Sequence, residues 1–255
     1  MDQNKRRKRA QAFFMVAIVL VFWNLMDHMS SEDKTVVACV GDSITYGTGV
    51  ENRKEYCYPV RLQQMLGTKE YQVGNFGVEG VTVQKKGNIP YVNETVYEKS
   101  LKYDADIVVM ILGTNDSKKV NWKNTESFEK DYRELTENYE KLPQTPKLIL
   151  ATPPKVFEAS AEWNEDTLMS DAVIQEECKI IKKIGEEKKI PVLDLYTLTE
   201  NHPQWFREDG VHPNQKGAEQ IAVAVAEEIK SIWNLLSDEV SYDGAVALSA
   251  YPEYF

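Results

Sequence analysis

The chain holds three histidines, at positions 28, 202 and 212, and only the last has an acid spaced to serve it. His212 lies in "DGVHP", with Asp209 three residues before it. A carboxylate at that spacing reaches back to the imidazole Nδ1 if the segment turns, which fixes the tautomer and stabilises an imidazolium. His202, in "ENHPQW", has Glu200 only two residues ahead, and His28 abuts an apolar N-terminal run. By elimination His212 is the candidate base and Asp209 its orienter. A base of this kind activates a hydroxyl, and Ser43 is placed to supply one: in "VVACVGDSITYGTGV" an apolar run breaks off at Gly41-Asp42-Ser43. Serine is a weak nucleophile until a base takes its proton. Acyl transfer also needs donors aimed at a developing oxyanion. The backbone N–H groups of Ser43 and Gly80 and the side-chain amide of Asn115 are candidates.

A phosphate cradle is the rival reading of this glycine-rich turn. A P-loop needs lysine after its second glycine. Thr48 follows Gly47 here, and Gly-x-Gly-x-x-Gly is absent from the turn. The turn is therefore not read as a nucleotide site.

The elements that must position these residues alternate. Strand-like apolar runs lie at 35–40, 70–77, 105–113, 146–152 and 190–196. Helical patterns lie at 54–66, 93–102 (with Asn93 as cap), 125–142, 170–189 and 213–233, the last with Pro213 near its first turn. Alternating strands and helices predict a three-layer α/β/α domain around a parallel sheet of about five strands. Ligands in such folds bind outside the carboxyl ends of the strands. Ser43, the 77–80 segment and "GTND" (113–116) all follow predicted strands, and "EDGVHPN" (208–214) leads into the last helix. Four polar loops thus converge on one mouth.

Composition narrows the partners. The chain has 255 residues, 42% hydrophobic and 27% charged, which suits one globular body. Net charge is −10, made of +3 in the first thirty residues and −13 in the rest. An acidic body is a poor match for nucleic acid. Three cysteines without a Cys-x-x-Cys pair suggest neither a disulfide framework nor a zinc site. Cys39, inside an apolar run, reads as a buried small hydrophobe. At the N-terminus a basic cluster at 5–9 precedes an apolar run at 10–26, about 25 Å long as a helix. The pattern predicts a basic cytoplasmic stub and a membrane anchor with an exported body, or a secreted body if the segment is cleaved. Residues 1–34 are thus read as stub, anchor and linker, 35–236 as the catalytic domain and 237–255 as a C-terminal extension.

Four blocks carry a family resemblance: "GDSIT" (41–45), "NFGVEG" (75–80), "LGTND" (112–116) and "DGVHP" (209–213). In this order they resemble the GDSL family of the SGNH hydrolase superfamily. The resemblance implies a flavodoxin-like sheet, Ser43 as nucleophile, Gly80 and Asn115 in the oxyanion hole, and Asp209 and His212 completing a triad, with no metal or organic cofactor. Glu79 departs from the small residue expected before the block-two glycine and adds a negative charge near the mouth. The family spans carbohydrate O-acetyl esterases, lysophospholipases, thioesterases and acyltransferases. Asp42, Tyr91 and Trp122 are candidate substrate contacts, the last two because aromatic faces suit sugar rings. No long apolar loop offers room for a fatty chain. An ester hydrolase acting on acetylated glycans is therefore the expected function. The alternatives are a lysophospholipase or thioesterase, a cell-surface O-acyltransferase, and a catalytically silent glycan-binding module.

Overall fold

The structure is a computed structural model and describes residues 34–157 and 168–242, with 233–242 described by their helical backbone. From Thr35 the described residues form one compact unit. The predicted stub and anchor lie outside the described residues, as do residues 243–255. Among the described residues no helix is long and apolar enough to cross a membrane.

Five strands form a single parallel sheet: Thr35–Gly41 (β1), Tyr71–Gly77 (β2), Ile107–Ile111 (β3), Lys147–Ala151 (β4) and Val192–Leu193 (β5). Their order is β2-β1-β3-β4-β5. The helices are Ser43–Tyr46 (α1), Arg53–Tyr56 (α2), Tyr58–Leu66 (α3), Thr95–Leu101 (α4), Thr125–Glu140 (α5), Asp171–Lys188 (α6), Leu195–Thr199 (α7) and Gln215–Tyr242 (α8).

The central strands read as continuous apolar runs because both sheet faces are covered. Successive strand residues point to opposite faces. Ala38 and Val40 of β1, with Val108 and Met110 of β3, join Phe128, Tyr132 and Leu135 of α5 and Ile181 and Ile184 of α6. Val37 and Cys39, with Ile107, Val109 and Ile111, pack on the other side against Leu62 of α3 and Ile221, Ala222 and Val225 of α8. This is the expected three-layer α/β/α arrangement. Cys39 is buried as expected, and burial pushes its thiol up to about 12.

Two features of the sheet place the site. Chain order reverses between β1 and β3, which opens a crevice at the carboxyl ends of those strands. In addition Gly41 pairs with both Gly77 and Ile111, so β1, β2 and β3 end level. Their following loops therefore leave from one edge.

Several boundaries differ from expectation. The helix predicted over 54–66 is broken at Cys57, whose backbone is extended, and restarts with Pro59 in its first turn. Proline has no N–H to give the preceding turn. The strand predicted over 190–196 shortens to two residues, because the Asp194 side chain accepts from Thr197 N–H and starts α7. Asn93 is not the cap of α4: it lies in a 3-10 turn, and Glu94 takes the cap position without a side-chain bond. Pro213 sits ahead of α8, and Asn214 is the residue whose Oδ1 accepts from Lys216 and Gly217 N–H. That helix runs on to Tyr242, so 237–242 of the predicted extension is helical.

Candidate active site

Ser43 opens α1 directly after β1. The turn into it is tight. A Cβ on Gly41 would meet the Thr45 hydroxyl at 2.0 Å and the Ile111 carbonyl at 2.6 Å, so only glycine ends this strand. Asp42 caps the helix, its Oδ1 accepting from Ile44 N–H at 2.9 Å. An N–H at the first helical position, where Ser43 stands, has no acceptor within its own helix.

The 208–214 segment makes the turn that the Asp-x-x-His spacing requires. Asp209 Oδ1 accepts from the N–H groups of Val211 and His212, both at 2.8 Å. Its Oδ2 lies 2.8 Å from His212 Nδ1. On the far side of the ring, His212 Nε2 is 3.0 Å from Ser43 Oγ. The Asp209 carboxyl is partly desolvated, which opposes ionisation, but the His212 side chain and the two backbone donors outweigh this and hold it at about 2. An ionised carboxylate only accepts. In the neutral imidazole the hydrogen therefore sits on Nδ1, leaving Nε2 to accept from the serine hydroxyl. The loop is fixed at both ends: Arg207 N–H donates to the His212 carbonyl at 2.9 Å, and the Arg207 guanidinium donates to the Gly49 carbonyl at 3.1 Å.

Gly80 has φ +78°, a left-handed conformation natural to glycine. The segment after it is pinned to the loop after β3. Asp116 accepts from Val83 and Gln84 N–H at 2.8 Å each, and Asn121 Oδ1 accepts from Asn88 N–H at 2.9 Å. Asn121 Nδ2 donates to the Asn115 carbonyl at 2.8 Å. The Asn115 side chain is 2% exposed; its Oδ1 accepts from the Lys118 ammonium at 2.8 Å, while its Nδ2 has no partner in the protein. Beside Gly80, exposed Glu79 is engaged by Thr48, whose hydroxyl donates to Oε1 at 2.6 Å.

The structure thus brings Ser43, His212 and Asp209 into one hydrogen-bonded chain and ties the loops of Gly80 and Asn115 together. It does not bring all three expected substrate contacts to the mouth. Tyr91 is a correction: it is 0% exposed, packs in the core, and donates its hydroxyl to the Phe76 carbonyl at 2.8 Å. Its ring packs edge-on against Tyr97, and a polar handle on a buried aromatic takes a backbone partner. Asp42 is a second correction, since its carboxyl is fully buried, with Oδ1 capping α1. Trp122 is half-buried against Phe128 and lines a pocket of about 460 Å³ with Ser117, Lys119, Leu168 and Met169.

Two buried acids beneath the strand ends escaped the sequence reading. Burial pushes Asp116 up to about 7, against the opposing pull of the Gln84 and Val83 N–H groups. Glu177 of α6 is 0% exposed, and neither carboxyl oxygen has a hydrogen-bond partner. Burial, then the nearby Asp116 and Asp42, carry its carboxyl well above the usual range. A signal existed in the sequence: Glu177 stands on the apolar stripe of α6 with Ile174, Cys178, Ile181 and Ile184, at helical spacing.

The model of the GDSL-like lipase/acylhydrolase family matches residues 39–220, most of the chain. The chain belongs to that family. It is 36% identical over 217 residues to an acetylxylan esterase of Xylanibacter ruminicola, which covers 78% of this chain and 44% of that esterase. The chain therefore spans less than half the length of that relative. Among solved structures, a carbohydrate acetylesterase from Sinorhizobium meliloti superposes with a TM-score of 0.68 at 16% identity, covering 78% of this chain and 100% of the other. An aryl esterase from M. smegmatis gives 0.66 at 18% identity, covering 77% and 99%. At these identities the two structures speak for the SGNH hydrolase fold alone.

Proposed function

We propose that the protein is a serine esterase that removes O-acetyl groups from carbohydrates. The observation that carries the reaction is the continuous chain Ser43 Oγ, His212 Nε2, His212 Nδ1, Asp209 Oδ2, with links of 3.0 and 2.8 Å. The similarity to an acetylxylan esterase supports the substrate class.

In the proposed mechanism Ser43 Oγ attacks the ester carbonyl as His212 Nε2 takes its proton. Asp209, ionised far below neutral pH, stabilises the imidazolium. The Ser43 and Gly80 N–H groups and Asn115 Nδ2 receive the oxyanion, a role for which one donor is typically worth about 3–4 kcal/mol. As the carbonyl carbon–sugar oxygen bond breaks, His212 gives its proton to the departing sugar oxygen, which leaves as the hydroxyl and leaves the acetyl group on Ser43. His212 then takes a proton from the water that attacks this acetyl ester, releasing acetate and restoring the Ser43 hydroxyl. Trp122 is the aromatic residue retained as a sugar contact. Export of the domain on an uncleaved N-terminal anchor belongs to the same proposal. It rests on the basic cluster followed by the apolar run, and protease shaving of intact cells tests it.

The decisive assay follows acetate release from acetylated xylan, and hydrolysis of p-nitrophenyl acetate, butyrate and octanoate, by the full chain and by Ser43→Ala. Acetate is expected to be the preferred acyl group, with turnover lost in the variant. Preference for octanoate would move the substrate to lipids, and an active Ser43→Ala would remove the serine mechanism altogether.

A further inference from the structure

We infer that Lys118 is a positioning residue that holds the Asn115 amide in the one orientation able to stabilise an oxyanion. The inference rests on the esterase reading above and adds a residue to it.

An asparagine side chain presents an acceptor on one branch and a donor on the other. Turned one way, Asn115 offers N–H groups to the developing oxyanion. Turned the other way it offers a carbonyl oxygen, which would repel that charge. Its backbone cannot make the choice. The Asn115 carbonyl accepts from Asn121 Nδ2 at 2.8 Å and from Lys118 N–H at 3.3 Å, which fixes the main chain and leaves the side-chain torsions free. The ammonium of Lys118 decides it, lying 2.8 Å from the amide. An ammonium has donors and no acceptor, so the atom it meets must be Oδ1. That assignment leaves Nδ2, buried and without a protein partner, as the branch free to bind.

The contact is worth more than an exposed one. Asn115 is 2% exposed and Lys118 is half-buried, so water competes weakly for either group. Desolvation lowers the Lys118 pKa, while the charge of Asp42 favours the cation. Lys118 is itself set in place by an isolated antiparallel bridge between its backbone and that of Met169. A cation on Oδ1 also draws electron density from the amide and makes Nδ2 a better donor.

The test is a double-mutant cycle on Asn115→Ala and Lys118→Met with p-nitrophenyl acetate, using the full chain. Methionine keeps the apolar stem and removes the donor. Lys118→Met is expected to lower kcat by about ten- to a hundredfold, the worth of a hydrogen bond to a charged group, with KM little changed. In the Asn115→Ala background the same change is expected to alter kcat by no more than about twofold, because the amide it acts through is gone. Equal losses in both backgrounds would overturn the inference and leave Lys118 acting on substrate directly. A loss in KM alone, or an unchanged kcat, would overturn it as well. Should Lys118→Met fold poorly, Lys118→Cys alkylated with bromoethylamine regrows the amine, and the three native cysteines are all buried. Recovery of kcat on alkylation supports the role, and no recovery after complete alkylation refutes it. Failure of the esterase reading is separate: Ser43→Ala would then keep the activity.

Discussion

Asp209→Asn isolates the electrostatic part of the site with little change in shape. Asp209 does two things at once. Its Oδ1 holds the turn through the Val211 and His212 N–H groups, and its Oδ2 faces His212 Nδ1 at 2.8 Å. The asparagine carbonyl can keep both backbone bonds, so the loop stays folded. The amide nitrogen then faces Nδ1 as a donor. The ring must answer with an acceptor there, which moves its hydrogen to Nε2. That atom is 3.0 Å from Ser43 Oγ and can no longer take the serine proton. The anion that stabilised the imidazolium is lost too. In a serine protease triad the same exchange lowers kcat by about 10⁴, or roughly 5.5 kcal/mol of barrier. A similar fall in kcat on p-nitrophenyl acetate is expected here, with KM within a few-fold and thermal stability close to wild type. Asp209→Ala is the poorer probe, because it strands two backbone donors at about 1–3 kcal/mol each. Should Asp209→Asn keep kcat within tenfold of wild type while folded, the assigned tautomer would be wrong and the carboxylate would be holding the loop only.

The buried acids give two further predictions. Glu177→Met is expected to raise stability by about 1–3 kcal/mol, since it removes a buried carboxyl whose oxygens have no partner; urea unfolding measures it, and a destabilised variant would mean an unseen partner satisfies Glu177. Asp116 has its folded pKa raised from 3.8 to about 7, so between those values the folded state binds more protons than the unfolded one. Its contribution to stability therefore falls as pH rises through that window and levels off above it. Compared with Asp116→Asn, wild type should lose stability between about pH 4 and about pH 7, and a pH-independent difference would contradict the buried, protonated state.

Much of this protein is written locally. The apolar runs of β1, β3 and β4 have no choice but a doubly covered sheet, because every residue of β3 is buried. The Asp-x-x-His spacing implies its own turn, and the hydrogen bonds of Asp209 realise it. Ser43, Gly80, Asn115, Asp209 and His212 could accordingly be picked out as candidates before any coordinates. Other features depend on what lies across space. Tyr91 reads as a surface aromatic in a polar loop, yet the Phe76 carbonyl and the space beside Tyr97 draw it inward. Asp194 ends β5 early because its carboxylate meets a helix start, a local bond that strand pattern does not register. The Lys118 contact with Asn115 is only three residues long, but its value comes from burial, which composition does not show. Above all, the 3.0 Å between Ser43 and His212 spans 169 positions of sequence. Residue types and short spacings determined which groups could react. Only the parallel register that ends β1, β2 and β3 level, together with the return of the 208–214 loop to that edge, decided that they meet, because the distance between remote residues is a property of packing and not of any segment alone.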